Sequence, residues 1–281
     1  YDKVDFTKQT NKFDIIFDAV GKTNKQECKH LLSEKGEYKS VNGSGYASET
    51  LQQLQLLKKL FEKGKFKVGD KVFGMTGFNF GTYAEYIAIN QDSNVLEMPR
   101  NATFDDAVSL IFGGQTAIYF LKKAKIAEMS NPKILIIGAT GSVGTGAIQI
   151  ARYHKADITV VCSSEGFELV KSLGVYNVIL YDKVDFTKQT NKFDIIFDAV
   201  GKTNKQECKH LLKEKGEYKS VDGSGYASET LKQLQLLKKL FEKGKFKAVI
   251  DKVFPMDKIV EAHRYVDTGR KKGNVVLRIS K

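Results

Sequence analysis

Hydrophobic residues in the second half of the chain occur as short continuous runs, separated by glycines and by segments with helical spacing. Lys133–Ile137 and Asp157–Cys162 are two such runs, and runs of this kind are typical of strands buried on both faces of a parallel sheet. Between them, Thr145–Arg152 carries small and apolar residues at the spacing of a helix that packs on the sheet. The pattern predicts a strand–helix–strand unit.

The alternation continues toward the C-terminus. Further strands are predicted at Asn177–Tyr181, Phe193–Gly201 and Gly216–Gly223, with a helix in the Gly201–Gly216 connection. Helices are also predicted at Glu229–Phe241, which has a stripe of leucines, and at Met256–Val266. Five strands alternating with helices indicate the α/β class, with a doubly wound, Rossmann-type parallel sheet.

A glycine-rich turn joins the first predicted strand to its helix. Glycines at such a turn permit a tight bend, close approach of the backbone to a pyrophosphate, and close packing of helix on strand. The helix that follows offers unpaired N–H groups and the positive end of its dipole to the phosphates. Nucleotide phosphate binding is therefore predicted for Gly138, Ala139, Thr140, Gly141, Ser142, Val143 and Gly144.

The end of the second strand bears on the choice of nicotinamide cofactor. Enzymes that use NAD place an acid there, which binds the ribose 2′-hydroxyl and would repel a 2′-phosphate. This chain has Cys162, Ser163 and Ser164 at that position and no acid before Glu165. Hydroxyl donors without a carboxylate favour NADP. Cys162 itself is interpreted as a small buried group and not as a nucleophile.

Composition excludes several other classes of function. The net charge of +12 comes from lysines interleaved with acids, without an arginine-rich block, and so argues against nucleic-acid binding. No apolar run reaches the ~18–20 residues that span a bilayer, and no signal-peptide pattern opens the chain, so a cytoplasmic location is expected. No metal site is expected, because the cysteines and histidines have no ligand spacing: Cys28, Cys162, Cys208, His30, His154, His210 and His263.

One long segment occurs twice. Residues 1–67 and 181–247 are identical at 64 of 67 positions and differ only at Ser33/Lys213, Asn42/Asp222 and Gln52/Lys232. So little divergence indicates a recent recombination or a deliberate construction. Two such copies would compete for one place in a sheet unless each finds its own partner surface. The duplication therefore favours a homodimer or a swapped arrangement, while two similar units side by side are the alternative.

Motifs from Val68 to the C-terminus resemble the zinc-independent quinone oxidoreductases of the medium-chain dehydrogenase/reductase superfamily. Gly81–Tyr86 (GTYAEY) looks like a strand of that family's catalytic domain, and Gly138–Gly144 (GATGSVG) is close to its GAAGGVG loop. Ala262–Tyr265 (AHRY) and Gly269–Val276 are similar to its ending. The resemblance implies a GroES-like β domain beside the cofactor domain, and hydride transfer from NADPH to a quinone, an enone or a similar acceptor.

The same resemblance implies roles for individual residues. Thr116 would approach the nicotinamide ribose, and Ser163, Ser164 and Tyr181 would surround the adenosine phosphate. The nicotinamide end would be lined by Val200, Gly201, Gly223 and Ser224. No residue is identified as a catalytic acid or base. Tyr83 and Tyr86 are expected to pack on a barrel face, and His263 to lie at the surface.

The chain also departs from the family pattern. The duplicated segment 1–67 stands where several barrel strands would be, which leaves 68–115 as a truncated β domain, 116–247 as the dinucleotide-binding domain and 248–281 as the return to the catalytic domain. The short stretch after Gly223 predicts a sheet that lacks its sixth strand. Three functional hypotheses follow. The chain is a metal-free NADPH-dependent oxidoreductase, a rearranged or engineered nucleotide-binding scaffold without turnover, or a nucleotide-binding interaction protein in which the duplicated edge mediates self-association.

Overall fold

The computed structural model describes residues 12–18, 25–40, 65–77, 81–90, 92–222 and 227–279. The chain divides into two units, Tyr1–Lys63 and Gly64–Lys281. The first unit contains strand β1 (Phe13–Asp18), a short helix α1 (Lys25–Cys28), a 3₁₀ turn at Lys29–Leu31 and strand β2 (Leu32–Ser40). Its two strands pair in parallel.

The second unit begins with two short strands and continues as an α/β domain. Its elements are β3 (Val72–Gly74), β4 (Val95–Glu97), α2 (Phe104–Lys123), β5 (Lys133–Ile137), α3 (Ser142–Tyr153), β6 (Asp157–Cys162), α4 (Phe167–Ser172), β7 (Asn177–Leu180), β8 (Phe193–Asp198), β9 (Leu212–Ser220), α5 (Leu231–Glu242), β10 (Ile250–Pro255), α6 (Ile259–Asp267) and β11 (Asn274–Arg278). Among its 3₁₀ turns are Ile126–Glu128, Ser164–Gly166, Phe186–Lys188, Lys209–Leu211 and Met256–Lys258.

Five parallel strands form the main sheet in the order β7-β6-β5-β8-β9. The order reverses between β5 and β8, and this reversal defines a doubly wound sheet and opens a crevice at the carboxyl ends of these two strands. The sequence-based prediction of an α/β, Rossmann-type sheet is confirmed. Within the described residues β9 is an edge strand, and β10 pairs only with β11 in a separate parallel pair.

Both faces of the central strand β5 are buried, and its residues alternate between two hydrophobic cores. Ile134 and Ile136 pack into the larger core, together with residues of α2, α3 and α5. Leu135 and Ile137 pack into the smaller core on the other face, which includes Cys208 and Leu211. Leu234, Leu237 and Leu240 are the buried members of the predicted leucine stripe in α5.

The duplicated sequence pairs its two strands in the same way in both copies. Phe13 lies opposite Leu32 and Ile15 opposite Glu37, with a register shift between the two pairs. β8 and β9 repeat this register and this shift at the positions 180 residues later. The pairing is therefore dictated by local sequence and recurs in each unit.

The predicted helix between Gly201 and Gly216 is wrong. The chain forms turns over residues 205–208 and then the 3₁₀ turn Lys209–Leu211. The side chain of Asn204 accepts hydrogen bonds from the backbone N–H groups of Gln206 and Glu207, both at 3.0 Å. These bonds have the geometry of a helix N-cap, but β9 already begins at Leu212 and leaves no room for a longer helix.

The predicted strand at Gly81–Tyr86 is also wrong. No strand is present between residues 81 and 90, and Tyr83 and Tyr86 are 56% and 89% exposed instead of packed on a barrel face. The physical reason is that, among the residues described, β3 and β4 pair only with each other, over three residues each, and so provide no sheet to extend. His263 is exposed as expected, and its Nε2 lies 3.3 Å from the Tyr83 hydroxyl.

Within the described residues, none of the helices combines the length and the apolar character needed to cross a membrane.

Candidate nucleotide site

The glycine loop leads from β5 into α3 at the crevice of the sheet. Gly138 has φ +73°, a left-handed conformation that glycine adopts without strain. A Cβ at this position would lie 2.5 Å from Cγ1 of Val200, in the loop after β8. Glycine at 138 therefore allows the loops after β5 and β8 to approach each other closely.

Two other glycines of the loop differ in what surrounds them. A Cβ on Gly144 would lie 2.7 Å from the Cα of Ala139, so this glycine is needed for packing of α3 against β5. A Cβ on Gly141 would have only the Gly138 carbonyl oxygen nearby, at 3.7 Å. The space above Gly141 is therefore open, as a cradle for a phosphate requires.

The N-terminus of α3 faces this open space. Gly141 is the N-cap, no side chain caps the helix, and its first turn contains no acid. The ammonium group of Lys271 lies 2.8 Å from Ser142 Oγ, in the first turn, and also donates to the Gly273 carbonyl at 2.9 Å. Burial lowers the pKa of Lys271, against an opposing effect of Asp251. A cation beside a helix N-terminus favours an anion there.

Residues predicted to bind the adenosine end come together at the end of β6. The N–H of Tyr181, which directly follows β7, donates to the Cys162 carbonyl at 3.0 Å. Ser163 and Ser164 follow Cys162, and the buried Ser164 hydroxyl lies beside the Asp182 carboxylate and lowers its pKa. Burial, and secondarily the charge of Asp182, raises the pKa of Cys162 to about 11, so it is no nucleophile at neutral pH.

Asp182 is a site residue that the sequence analysis missed. Its Oδ1 accepts a hydrogen bond of 2.8 Å from the Ser164 backbone N–H. The acid is distant from Ser164 in sequence and reaches it because β7 lies beside β6 in the sheet. The strand order of a doubly wound sheet could have revealed it, since residues that follow neighbouring parallel strands meet at the same edge.

A buried carboxylate holds the loop at the predicted nicotinamide end. Asp198 is fully buried at the end of β8, and its Oδ1 accepts hydrogen bonds from the N–H groups of Val200 and Gly201 at 3.0 and 2.9 Å. Its Oδ2 accepts from the N–H and hydroxyl of Thr203 at 2.7 and 2.8 Å. These four bonds fix Val200 and Gly201 beside the glycine loop, and sequence reasoning had assigned Asp198 no role.

The remaining predicted site residues are either buried in a helix or outside the described part of the chain. Thr116 is buried within α2, which runs through the expected domain boundary at residues 115 and 116. Gly223 and Ser224 lie outside the described residues. Throughout the part of the chain that the structure describes, no group of three or more His, Cys, Asp or Glu residues is placed to hold a metal ion.

The arrangement has the features of a dinucleotide site. An open glycine cradle and a helix N-terminus lie at the centre, the Cys162–Ser164 and Tyr181–Asp182 segments lie to one side, and the Asp198-bound loop lies to the other. The buried hydroxyl of Ser164 lies beside Asp182 without a hydrogen bond of standard geometry, and a ligand could supply one. These residues fit a nucleotide with a pyrophosphate, although nothing in them supplies redox chemistry of its own.

Comparison with known proteins agrees with this geometry. Residues 142–245 and residues 220–277 match two family models that are both described as zinc-binding dehydrogenase. The chain is 34% identical over 229 residues to 2-methylene-furan-3-one reductase of Solanum lycopersicum, covering 75% of this chain and 58% of that protein. It is 31% identical over 209 residues to the chloroplastic NADPH-dependent alkenal/one oxidoreductase of Arabidopsis thaliana, covering 70% of this chain and 53% of that protein. The chain thus spans little more than half the length of these relatives.

A solved structure shares the fold. The quinone oxidoreductase of Coxiella burnetii superposes with a TM-score of 0.66 at 23% identity, covering 77% of this chain and 74% of that one. The family matches together run from the first turn of α3 to β11 and include much of the candidate site. Over residues 142–277 the chain is similar to the zinc-binding dehydrogenase family.

Proposed function

We propose that the chain is an NADPH-dependent, metal-free oxidoreductase that transfers hydride to a quinone, an enone or a similar carbonyl-type acceptor. The observation that carries the proposal is the open cradle above Gly141, placed at the N-terminus of α3 in the crevice of the sheet. Backbone N–H groups, the helix dipole and the Lys271 ammonium converge there, and together they suit a pyrophosphate.

Each group of residues would have a distinct task. Gly141, Ser142 and Lys271 would bind the pyrophosphate, Ser163, Ser164 and Tyr181 would bind the adenosine end, and Val200 and Gly201 would orient the nicotinamide. When bound, the cofactor supplies the hydride, and the protein contributes position and exclusion of water. Acceptance of hydride and a proton converts an enone into a saturated ketone, and the chain places no described acid or base at that step.

The acceptor class is supported by the names of the relatives. One is a reductase of a methylene-furanone, in which a C=C bond is conjugated to a carbonyl, and the other is an alkenal/one oxidoreductase. Metal independence is supported by the scattered histidines and cysteines, none of which forms a ligand cluster in the described parts of the chain. The absence of an acid within the sequence Cys162–Ser164 supports NADPH over NADH.

A second candidate is a nucleotide-binding scaffold without turnover. It is favoured by the exposed segment 81–90, which contains no strand and leaves Tyr86 89% exposed. A catalytic wall built from such a segment would shield the nicotinamide poorly from water.

Two measurements on the intact chain separate these functions. Titration with NADPH, followed by nicotinamide fluorescence, should show saturable binding under both proposals. Addition of a quinone or an enone should then consume NADPH at a rate proportional to protein only if the chain is an enzyme. Binding without consumption of NADPH would favour the scaffold, whereas failure to bind would contradict both.

A further inference from the structure

The carboxylate of Asp182 lies beside the end of β6. In this fold the ribose lies against the end of the second strand of the nucleotide-binding unit, which here is β6 and the residues Cys162–Ser164. Asp182 Oδ1 accepts a hydrogen bond of 2.8 Å from the backbone N–H of Ser164. Burial, and secondarily the charge of Asp182, raises the pKa of the neighbouring Cys162 thiol.

We propose that Asp182 determines cofactor selectivity by repelling the 2′-phosphate, and so limits the preference of this chain for NADPH over NADH. The inference rests on the proposed nucleotide site. It concerns a residue that follows β7, the neighbouring strand, and not a residue at the end of β6 itself. Interactions with the Ser164 hydroxyl and backbone N–H lower the pKa of Asp182, so it is a carboxylate at neutral pH. A 2′-phosphate must therefore displace this anion from the Ser164 N–H or bind beside it.

The size of the effect follows from the exposure of the site. Asp182 is exposed to solvent, so its repulsion of a phosphate is screened. Two unit charges about 4 Å apart in water repel by an amount that corresponds to roughly a fivefold change in affinity. The 2′-phosphate carries nearly two charges at neutral pH, which would make the change roughly tenfold to thirtyfold without salt. With screening by salt, removal of the carboxylate charge should raise the NADPH/NADH affinity ratio by about fivefold to tenfold.

Asp182→Asn provides the test, because asparagine keeps an oxygen that can accept the Ser164 N–H and removes only the charge. The matched control is Asp185→Asn in the same loop. Asp185 is also exposed, and its Oδ1 accepts from the Thr187 N–H at 3.0 Å. Dissociation constants for NADPH and NADH are measured by fluorescence for the intact wild-type chain and both variants, at low and at high salt.

The expected result is a higher NADPH/NADH affinity ratio in Asp182→Asn, a ratio within about twofold of wild type in Asp185→Asn, and a smaller difference at high salt. A ratio in Asp182→Asn within twofold of wild type would overturn the inference while nucleotide binding itself still holds. Loss of affinity for both nucleotides in Asp182→Asn alone would show that Asp182 only supports the loop, and would also overturn it. If the wild-type chain binds neither nucleotide, the proposed function fails and this inference fails with it.

Discussion

Substitution of Gly141 by valine should abolish nucleotide binding while the protein remains folded. Gly141 has φ −75° and ψ 175°, which any residue can adopt, and a Cβ there would lie 3.7 Å from its nearest neighbour, the Gly138 carbonyl oxygen. Valine is a poorer N-cap than glycine, at a cost of about 1 kcal/mol, which lowers Tm by roughly 2–4 °C in a domain of this size. Its methyl groups would fill the space that the phosphates need, so affinity for NADPH should fall at least about 100-fold.

Gly144→Ala is the matched control, because the same loop has no room at that position. A Cβ on Gly144 would lie 2.7 Å from the Cα of Ala139, and relief of that contact requires a backbone shift. Overpacking of this kind typically costs about 1–3 kcal/mol. Tm is measured by circular dichroism and NADPH affinity by fluorescence for both variants. If Gly141→Val binds NADPH like wild type, or loses as much stability as Gly144→Ala, the assignment of Gly141 to the phosphate cradle is refuted.

Three further predictions follow from other parts of the chain. Lys271→Met should weaken NADPH binding by about tenfold with little loss of stability, because it removes a cation next to Ser142 and keeps an apolar side chain. The affinity is measured by isothermal titration, and an unchanged value would exclude contact of Lys271 with the pyrophosphate. Alkylation of Cys162 in the native protein should be slow at pH 8 and should accelerate only as pH approaches its raised pKa of about 11, since the thiolate is the reactive form; rapid labelling at pH 8, detected by peptide mass spectrometry, would show that the thiol is accessible. Sedimentation should show self-association of the intact chain that is lost in a chain shortened to begin at Val68, because the duplicated strands need a partner surface; two compact monomers of equal stability would contradict this.

The sheet could be predicted from sequence because each strand carries its own signal. Lys133–Ile137 is apolar throughout, and a strand of this kind must be covered on both faces, which only a central position in a parallel sheet provides. The glycine loop was predictable for a similar local reason, since glycine at 138 and 144 reflects the close approach of neighbouring backbone and side chains. Periodicity and loop composition therefore located the core of the site.

Features that depend on neighbours distant in sequence were missed or mispredicted. Asp182 reaches Ser164 only because β7 lies beside β6, and Lys271 reaches Ser142 from a segment more than 100 residues away. The stretch Gly81–Tyr86 has the composition of a strand but finds no sheet to join, so its tyrosines are exposed. A segment with high strand propensity forms a strand only where a neighbouring strand is available to pair with it.

Titration of the intact chain with NADPH, with Gly141→Val measured in parallel, tests the central claim most directly. We expect saturable binding of one NADPH per chain, weaker binding of NADH, and no detectable binding of NADPH to a folded Gly141→Val variant. Absence of NADPH binding to the wild-type chain, or equal binding to the folded variant, would contradict the assignment of this crevice as a nucleotide site.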